Sequence, residues 1–128
     1  MIRFVNRYFE YKDDRGSIQG LINEGDWQEL NLVISEPGIL RGNHYHKKTR
    51  ELFIILEGEI EIHTQQVIED KFKGQISIDV VTTNDVFLVE PMINHIFIPK
   101  SFSKWINALS EPLDQENPDM YRVTINHG

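Results

Sequence analysis

Short stretches of alternating apolar and polar residues recur along the whole chain. The clearest stretch runs from Glu59 to Thr64, where Ile60 and Ile62 share one face of a strand because successive side chains point to opposite faces. This face is predicted to point inward. Residues 27–35 alternate in the same way and place three apolar residues on one face. These residues are Leu30, Leu32 and Ile34.

Strand-like segments separated by turn residues predict about nine to eleven short strands and no helix. Besides the strand that carries His44 and His46, strands are predicted at 2–9, 17–22, 27–35, 51–56, 59–64 continuing toward 68, 75–81, 86–90, 95–98, 103–109 and 120–125. Turns are predicted at 13–16, 23–26, 71–74, 82–85 and 91–94. This pattern is typical of a double-sheet jelly roll or a small β-barrel, and 128 residues suit one domain, 1–128.

Composition narrows the classes of function. The formal net charge is −7, which disfavours binding to nucleic acid or to an anionic membrane surface, because both need a concentrated basic face. The chain has no cysteine, so it has no disulfide, thiolate metal site or cysteine nucleophile. The longest apolar run, Leu52 to Leu56, is too short to span a membrane. We therefore expect a cytoplasmic protein that binds a small molecule.

Two histidines and a carboxylate are spaced for metal binding. His44 and His46 are two residues apart, so on a strand both project to the same side. After the polar turn 47–49, an apolar strand begins at Glu51 and brings its carboxylate back beside the imidazoles. This donor set predicts a divalent metal site, with zinc as the first choice and nickel, iron or manganese as alternatives.

The spacing around these residues resembles the first motif of the cupin superfamily. Gly38 is followed after five residues by His44-x-His46, after four more by Glu51, and after six more by Gly58. This resemblance implies an all-β double-stranded β-helix, the cupin jelly-roll barrel.

The same resemblance implies a fourth metal ligand. In the second cupin motif, counted over residues 84–99, the ligand position falls on His95. The rest of that motif departs from the family pattern. Its usual first glycine, proline, second glycine and final asparagine are here Asn84, Glu90, Met92 and Pro99.

Within the cupins, three short segments resemble the cupin domains of bacterial polysaccharide enzymes that epimerise or isomerise 4-keto nucleotide sugars. These segments are 41–46, Trp105-Ile-Asn and Asn117-Pro-Asp119, and the similarity covers about residues 35–121. It is clearest with the C-terminal domain of capsular epimerase/reductases, although Met120 replaces a more usual threonine. The implied activity is epimerisation or isomerisation of a 4-keto-6-deoxy nucleotide sugar in surface polysaccharide biosynthesis. These 128 residues contain no reductase domain, so a bifunctional activity is not expected.

The implied reaction removes a proton beside a keto group whose oxygen is stabilised. An imidazole bound to a metal cannot also accept that proton, so His44 or His46 is a candidate base only in a metal-free site. The related 3,4-ketoisomerases, by resemblance, use the paired histidines without metal and lack the glutamate. Glu51 favours the metal, which leaves a tyrosine or a metal-bound water as the base. A non-catalytic ligand-binding cupin and an iron-dependent dioxygenase are the alternative functions.

Cationic residues beside the predicted metal ligands indicate where an anionic substrate binds. The cluster consists of Arg41, Lys47, Lys48 and Arg50. We expect it to hold the diphosphate of a nucleotide sugar, because a chain of net charge −7 offers few other sites for an anion. Arg15, in the predicted turn 13–16, is a further candidate by resemblance to the acidic-x-Arg-Gly segment of sugar-nucleotide cupins.

The strand after the metal turn also predicts self-association. If Glu51 points into the barrel, Phe53 and Ile55 do so as well, and the intervening residues face outward. These outward residues are Leu52, Ile54 and Leu56. An exposed apolar face of this kind predicts a homodimer, which the family resemblance also implies.

Overall fold

The computed structural model describes residues 1–124, and within them the chain forms eleven β-strands. They are β1 (Arg3–Phe4), β2 (Phe9–Asp13), β3 (Gly16–Gly20), β4 (Glu29–Ser35), β5 (Arg41–His44), β6 (Glu51–Glu57), β7 (Glu59–Ile68), β8 (Lys71–Thr82), β9 (Val86–Val89), β10 (Ile93–Pro99) and β11 (Ser103–Leu109). In this part of the chain no helix has the length and apolar character needed to cross a membrane.

The strands form two packed antiparallel sheets and one separate hairpin. The first sheet has the order β1-β9-β6-β11-β4, the second has the order β5-β10-β7-β8, and β2 pairs with β3. Consecutive strands such as β4 and β5, β6 and β7, or β10 and β11 lie in different sheets, so the chain passes back and forth between the two layers. This is a jelly-roll arrangement, and it confirms the predicted all-β cupin barrel.

Alternate residues of the facing strands fill the space between the two sheets. Ile60 and Ile62 of β7 are fully buried, which confirms their predicted inward orientation. Phe53 and Ile55 of β6 are buried in the same cluster, with Trp105 of β11. The prediction that these two residues share the inner face with Glu51 is therefore also confirmed, since Glu51 is 4% exposed.

The predicted outer apolar face of β6 is covered within the chain itself. Leu52 is only 3% exposed and Ile54 is half-buried, whereas Leu56 is 45% exposed. The segment before β4 packs over this face with Val5, Leu21, Ile22 and Trp27. The expectation that Leu52 and Ile54 form a free dimer surface is therefore wrong, because the first thirty residues bury that surface.

One predicted turn lies inside a strand. Residues 71–74 are part of β8, and the chain instead reverses at Glu69 and Asp70, both of which have positive φ angles, 51° and 59°. A two-residue turn with this backbone matches the twist of the flanking strands. Gly74 suggested the turn in the sequence, whereas the true turn contains no glycine.

The predicted terminal strands are also shorter than expected. The stretch 2–9 is divided between β1 and the first residue of β2. At the other end, the predicted strand 120–125 is wrong over the described residues, where Tyr121 forms an isolated bridge with Tyr45. Residue 125 lies outside the described part of the chain.

Gly58→Ala is expected to lower the free energy of unfolding more than Gly74→Ala does. Both glycines have positive φ angles, 103° and 78°, so each alanine costs about 1–2 kcal/mol in the backbone. At Gly58 a Cβ would also lie 2.7 Å from the carbonyl oxygen of Phe102, whereas at Gly74 no atom lies within 4 Å. We expect a further ~1–3 kcal/mol loss at Gly58. Equal losses in urea unfolding would contradict this packing.

Candidate functional site

Two strands of the second sheet approach each other closely at the predicted ligands. His44 on β5 lies opposite His95 on β10 in the antiparallel register. Gly42, two residues earlier, has a φ of 88°, and a Cβ there would lie 2.7 Å from the carbonyl oxygen of His95. Only glycine fits this position without displacing β10. The glycine therefore lets the two histidines share one end of the barrel.

The four predicted metal ligands converge on one point. One donor atom from each of His44, His46, Glu51 and His95 lies within 4.8 Å of the other three. The last three residues are buried, and His44 is half-buried. His46 Nε2 contacts Glu51 Oε1, has no hydrogen-bond partner and is shielded from solvent. Three imidazoles and a carboxylate that converge in this way fit a divalent ion such as zinc.

The electrostatics of the cluster favour the metal-binding protonation state at His44 and Glu51 but not at His46. Burial lowers the pKa of His46, but the contact with Glu51 and the carbonyl of Asp119 outweigh burial and raise it. Burial, with the neighbouring His95 and His46, lowers the pKa of His44 to about 3, so this imidazole is neutral at pH 7. Burial raises the pKa of Glu51, but His95 and the contact with His46 outweigh it and hold that pKa well below the usual range. A neutral imidazole and an ionised carboxylate are the forms that donate electron pairs to a cation.

Hydrogen bonds behind the ligands orient their rings and the carboxylate. His46 Nδ1 lies 2.5 Å from the carbonyl oxygen of Asp119, and His95 Nδ1 lies 3.1 Å from that of Ile93. A carbonyl only accepts, so both Nδ1 atoms carry a hydrogen, and both Nε2 atoms face the cluster, where the neutral form of the ring offers a lone pair. Asn107 Nδ2 donates to Glu51 Oε2 at 3.0 Å and leaves Oε1 turned toward the histidines.

The cluster forms part of the wall of a cavity of about 480 Å³. Three rows of inward-facing residues cross β4, β11 and β6 in register. The first row lies at the polar mouth of the cavity, and the last lies at its apolar floor. The rows are Glu29–Leu109–Glu51, Asn31–Asn107–Phe53 and Val33–Trp105–Ile55. Neighbouring strands lie about 4.8 Å apart, so the backbones of Glu29 and Glu51 lie about 10 Å apart in the same sheet, on either side of Leu109.

Glu29 is a site residue that the sequence analysis missed. Its Oε2 accepts a hydrogen bond from Asn31 Nδ2 and its Oε1 accepts one from the Leu113 N–H, both at 2.9 Å. These two hydrogen bonds hold the pKa of Glu29 below its usual range, so the carboxylate is ionised at neutral pH. The alternation over 27–35 was the available signal, because the polar face of β4 turns inward toward the cavity.

The apolar face of β4 is exposed as a consequence. Its three residues are Leu30, Leu32 and Ile34, with exposures of 70%, 59% and 50%. Because β4 is also the last strand of its sheet, this face lies beside an unpaired strand edge. The chain therefore exposes an apolar surface, but on β4 rather than on β6.

The predicted basic residues do not form one cluster. Arg41 lines the cavity and donates to Ser35 Oγ and to the carbonyl of Ile34, both at 2.9 Å. Arg50 faces away, with its guanidinium paired to Glu90 at 2.9–3.1 Å. Lys47 lies over the ring of Tyr121, at 4.1 Å from the ring centre.

The turn explains this dispersal of the basic residues. Lys48 is exposed on the turn that follows His46. Arg50 lies next to the inward-facing Glu51 on the same strand and therefore points to the opposite side. Among these four residues, Arg41 alone lines the main cavity of the described chain.

Two further groups predicted for the site, Arg15 and a tyrosine base, do not line the cavity. Arg15 lies on the β2–β3 hairpin, paired to Asp13 at 2.6 Å with its side chain 81% exposed. No tyrosine is placed to act as the predicted base, because none lines the cavity over residues 1–124. Tyr45 projects to the other side of its strand and donates to Asp70 at 2.8 Å, and burial raises its pKa to about 12.

Comparison with known proteins identifies the family. Residues 11–121 match the family described as the polysaccharide biosynthesis C-terminal domain. A curated relative, UDP-2-acetamido-2,6-beta-L-arabino-hexul-4-ose reductase of Pseudomonas aeruginosa, is 24% identical over 124 residues. That match covers 92% of this chain and 32% of the relative.

Solved structures extend this comparison. The capsular polysaccharide assembling protein CapF of Staphylococcus aureus is 26% identical with a TM-score of 0.68, over 91% of this chain and 32% of CapF. A 3,4-ketoisomerase from Helicobacter canadensis is 18% identical with a TM-score of 0.76, over 94% and 90% of the two chains. QdtA of Thermoanaerobacterium thermosaccharolyticum, a 3,4-ketoisomerase solved with TDP, is 19% identical with a TM-score of 0.72, over 94% and 87%.

The chain matches only part of the length of its longer relatives. The chain spans about a third of the length of the reductase and of CapF, whereas it spans most of the two ketoisomerases. The ketoisomerases, below 25% identity, show the shared fold. The predicted resemblance to capsular epimerase cupin domains is thereby confirmed, and the chain belongs to the polysaccharide biosynthesis C-terminal domain family.

Proposed function

We propose that this chain is a metal-dependent epimerase or isomerase of a 4-keto-6-deoxy nucleotide sugar in bacterial surface polysaccharide biosynthesis. The observation that carries the proposal is that a four-ligand cluster and a separate carboxylate, Glu29, line the same cavity. The relatives support the substrate class, since they include sugar 3,4-ketoisomerases and a dTDP-4-dehydrorhamnose 3,5-epimerase.

The ligand cluster and Glu29 have different roles in the proposed reaction. A divalent ion held by His44, His46, Glu51 and His95 would supply a Lewis acid for the oxygen of the sugar ketone. With the imidazoles occupied as ligands, Glu29 is the remaining group on the described cavity wall that accepts a proton. It takes the proton from the carbon beside the ketone. A proton delivered from solvent to the other face inverts the carbon. Alternatively, Glu29 delivers the proton to the former ketone carbon while the proton of the neighbouring hydroxyl passes to the ketone oxygen, and this moves the ketone.

The nucleotide is proposed to bind at Arg41, at the edge of the cavity. Arg41 is exposed and its guanidinium has two protein partners, which leaves other N–H groups for a phosphate. Arg122 lies nearby and donates to the carbonyl of Asn43 at 3.3 Å, which adds a second positive charge on this side of β5. The TDP bound by QdtA supports a nucleotide ligand for this fold.

Arg41→Lys is expected to weaken nucleotide-sugar binding by about 1–3 kcal/mol without changing metal content. The planar guanidinium holds a phosphate in two hydrogen bonds, whereas an ammonium acts as a point charge. Calorimetry with UDP- and dTDP-sugars measures this loss. Arg50→Lys is the matched control, because Arg50 pairs with Glu90 away from the cavity. Equal binding by the Arg41 variant and wild type would place the nucleotide elsewhere.

The proposal also includes a homodimer, whose interface differs from the one predicted from the sequence. The β2–β3 hairpin forms a two-stranded sheet of its own, with Tyr11 and Ile18 more than half exposed. Such a hairpin is marginally stable alone. A second copy that covers the hairpin and the apolar face of β4 would stabilise both.

Leu32→Glu is therefore expected to raise the dimer dissociation constant at least tenfold, about 1.4 kcal/mol. Leu32 lies at the centre of the exposed β4 face and is 59% exposed. Leu56→Glu serves as the control, because Leu56 lies on the outer side of β6. Light scattering over a concentration series distinguishes the two variants. A wild-type monomer at tens of micromolar would refute the dimer.

A further inference from the structure

The side chain of Asn31 lies between the proposed base and the cavity. Asn31 is on the inward face of β4, two residues after Glu29, and it lines the same cavity. Its Nδ2 donates to Glu29 Oε2 at 2.9 Å. The Glu29 carboxylate is ionised at neutral pH and therefore only accepts, so the NH₂ group of Asn31 faces Glu29 and its Oδ1 points elsewhere. Glu29 thus fixes the orientation of the amide.

The amide oxygen of Asn31 is a free acceptor. Over residues 1–124, no side chain and no main-chain N–H donates to this Oδ1. The atom is also not among the buried polar atoms that lack a partner, so it is open to solvent. A ligand in the cavity can therefore donate to it. A ligand without a donor there would displace water from Oδ1 without replacing its hydrogen bond, which weakens binding.

A second amide, that of Asn107, lies opposite Asn31 in the pairing of β4 with β11. Its Nδ2 donates to Glu51 Oε2 at 3.0 Å, so a substitution at Asn107 would also disturb a proposed metal ligand. Among the described residues, the side chain of Asn31 forms its hydrogen bond with Glu29 instead. Asn31 is therefore the position at which ligand recognition can be separated from metal binding.

The position of Asn31 beside Glu29 limits which group of a sugar it can contact. Asn31 Nδ2 lies 2.9 Å from Glu29 Oε2, and the two polar atoms of one amide are about 2.2 Å apart, so Oδ1 lies within about 5 Å of the proposed base. A donor this close to the base belongs to the reacting carbon or to a carbon bonded to it. If carbon 3 reacts, the ketone at carbon 4 only accepts, and the hydroxyl on carbon 3 is directed at the ketone oxygen. The remaining donor is the substituent on carbon 2.

We propose that Asn31 is a specificity-determining residue whose Oδ1 accepts a hydrogen bond from the hydroxyl or the acetamido N–H on carbon 2 of the sugar. The contact also selects carbon 3 as the reacting carbon. Carbon 5 of a 4-keto-6-deoxy sugar is bonded to the ketone carbon, a methyl carbon and the ring oxygen, and none of these donates. The inference rests on the proposed function and names the substituent that the same cavity requires.

The test measures selectivity by calorimetry with three sugars, glucose, N-acetylglucosamine and 2-deoxyglucose, each linked to UDP and to dTDP. Wild type is expected to bind glucose or N-acetylglucosamine about tenfold more tightly than 2-deoxyglucose on the same nucleotide, as one neutral hydrogen bond provides. The preferred sugar of this pair assigns the donor as hydroxyl or acetamido N–H. In Asn31→Leu, the preferred sugar and 2-deoxyglucose are expected to bind within twofold of each other. Gln28→Ala is the matched control and should keep the wild-type ratio, because this amide side chain is exposed just before β4 and does not line the cavity.

The outcomes separate this inference from the proposed function. Equal affinity of wild type for all three sugars overturns the role of Asn31, and so does a preference that persists in Asn31→Leu. Either result leaves the proposed function standing, because a nucleotide sugar still binds. If wild type binds none of the ligands, the nucleotide-sugar proposal fails and this inference fails with it. If thermal melting shows that Asn31→Leu does not fold, Asn31→Ala decides the same comparison.

Discussion

Glu51→Gln is expected to reduce zinc affinity by roughly a hundredfold or more, since even residues that only orient a ligand contribute 10–100-fold. The substitution keeps the size of the side chain but removes the single negative charge among three imidazoles. Wild type is expected to hold about one divalent ion per chain and to gain thermal stability on zinc addition, because a ligand that binds the folded state stabilises it. Glu51→Gln should lose most of that gain.

Glu61→Gln provides a matched control for this experiment. Glu61 also pairs with a histidine, His63, at 2.9 Å, but this pair lies on the partly exposed side of β7 away from the cavity. Elemental analysis and thermal melting with added zinc, nickel and iron should leave this variant like wild type. If Glu51→Gln retains stoichiometric metal, or if wild type takes up none of the three, the four-ligand centre is refuted.

Glu29→Gln is expected to slow proton exchange at the substrate carbon by about 10²–10⁴-fold, the usual contribution of a positioned base. Metal content should not change, because Glu29 lies across β11 from Glu51, a gap of about 10 Å. The glutamine still offers an oxygen to the Leu113 N–H, so the segment that closes the cavity stays attached. The variant therefore separates proton transfer from both folding and metal binding.

The rate of isotope exchange into a 4-keto nucleotide sugar is the appropriate measurement for Glu29. Glu24→Gln is the control, since Glu24 is an exposed carboxylate paired with Arg3 at 2.8 Å. An exchange rate in Glu29→Gln equal to that of wild type would assign the base to another group. Loss of metal from this variant would instead mean that Glu29 supports the ligand cluster.

Local spacing was sufficient to predict three of the four residues in the ligand cluster, and His95 was predicted from the family resemblance. The separation of His44 from His46 and the return strand at Glu51 depend on strand geometry alone, and the structure brings these side chains together. The ligand role of His95 was harder to predict because the second cupin motif around it lacks the usual glycines. Asn84 and Met92 nevertheless keep the positive φ angles, 78° and 65°, that explain why glycine is usual there. The backbone is retained although the residues have changed.

Long-range packing limited the remaining predictions. Whether Leu52 is exposed depends on the first thirty residues folding over β6, and alternation along β6 carries no information about that cover. The inward face of β4 is the polar one because Glu29 and Asn31 line a cavity, which reverses the usual expectation for an alternating strand. Glu29 was therefore missed for a physical reason: a functional cavity replaces the apolar core on that face.

The proposed function is tested most directly by solvent isotope exchange. Metal-loaded wild type would be incubated in D₂O with UDP- and dTDP-linked 4-keto-6-deoxy sugars, and the carbon beside the ketone would be followed by NMR and mass spectrometry. The account predicts deuterium at that carbon, together with an epimerised or isomerised product, for at least one sugar. No deuterium in any of them, from protein shown to contain metal and to bind the nucleotide sugar, would contradict it.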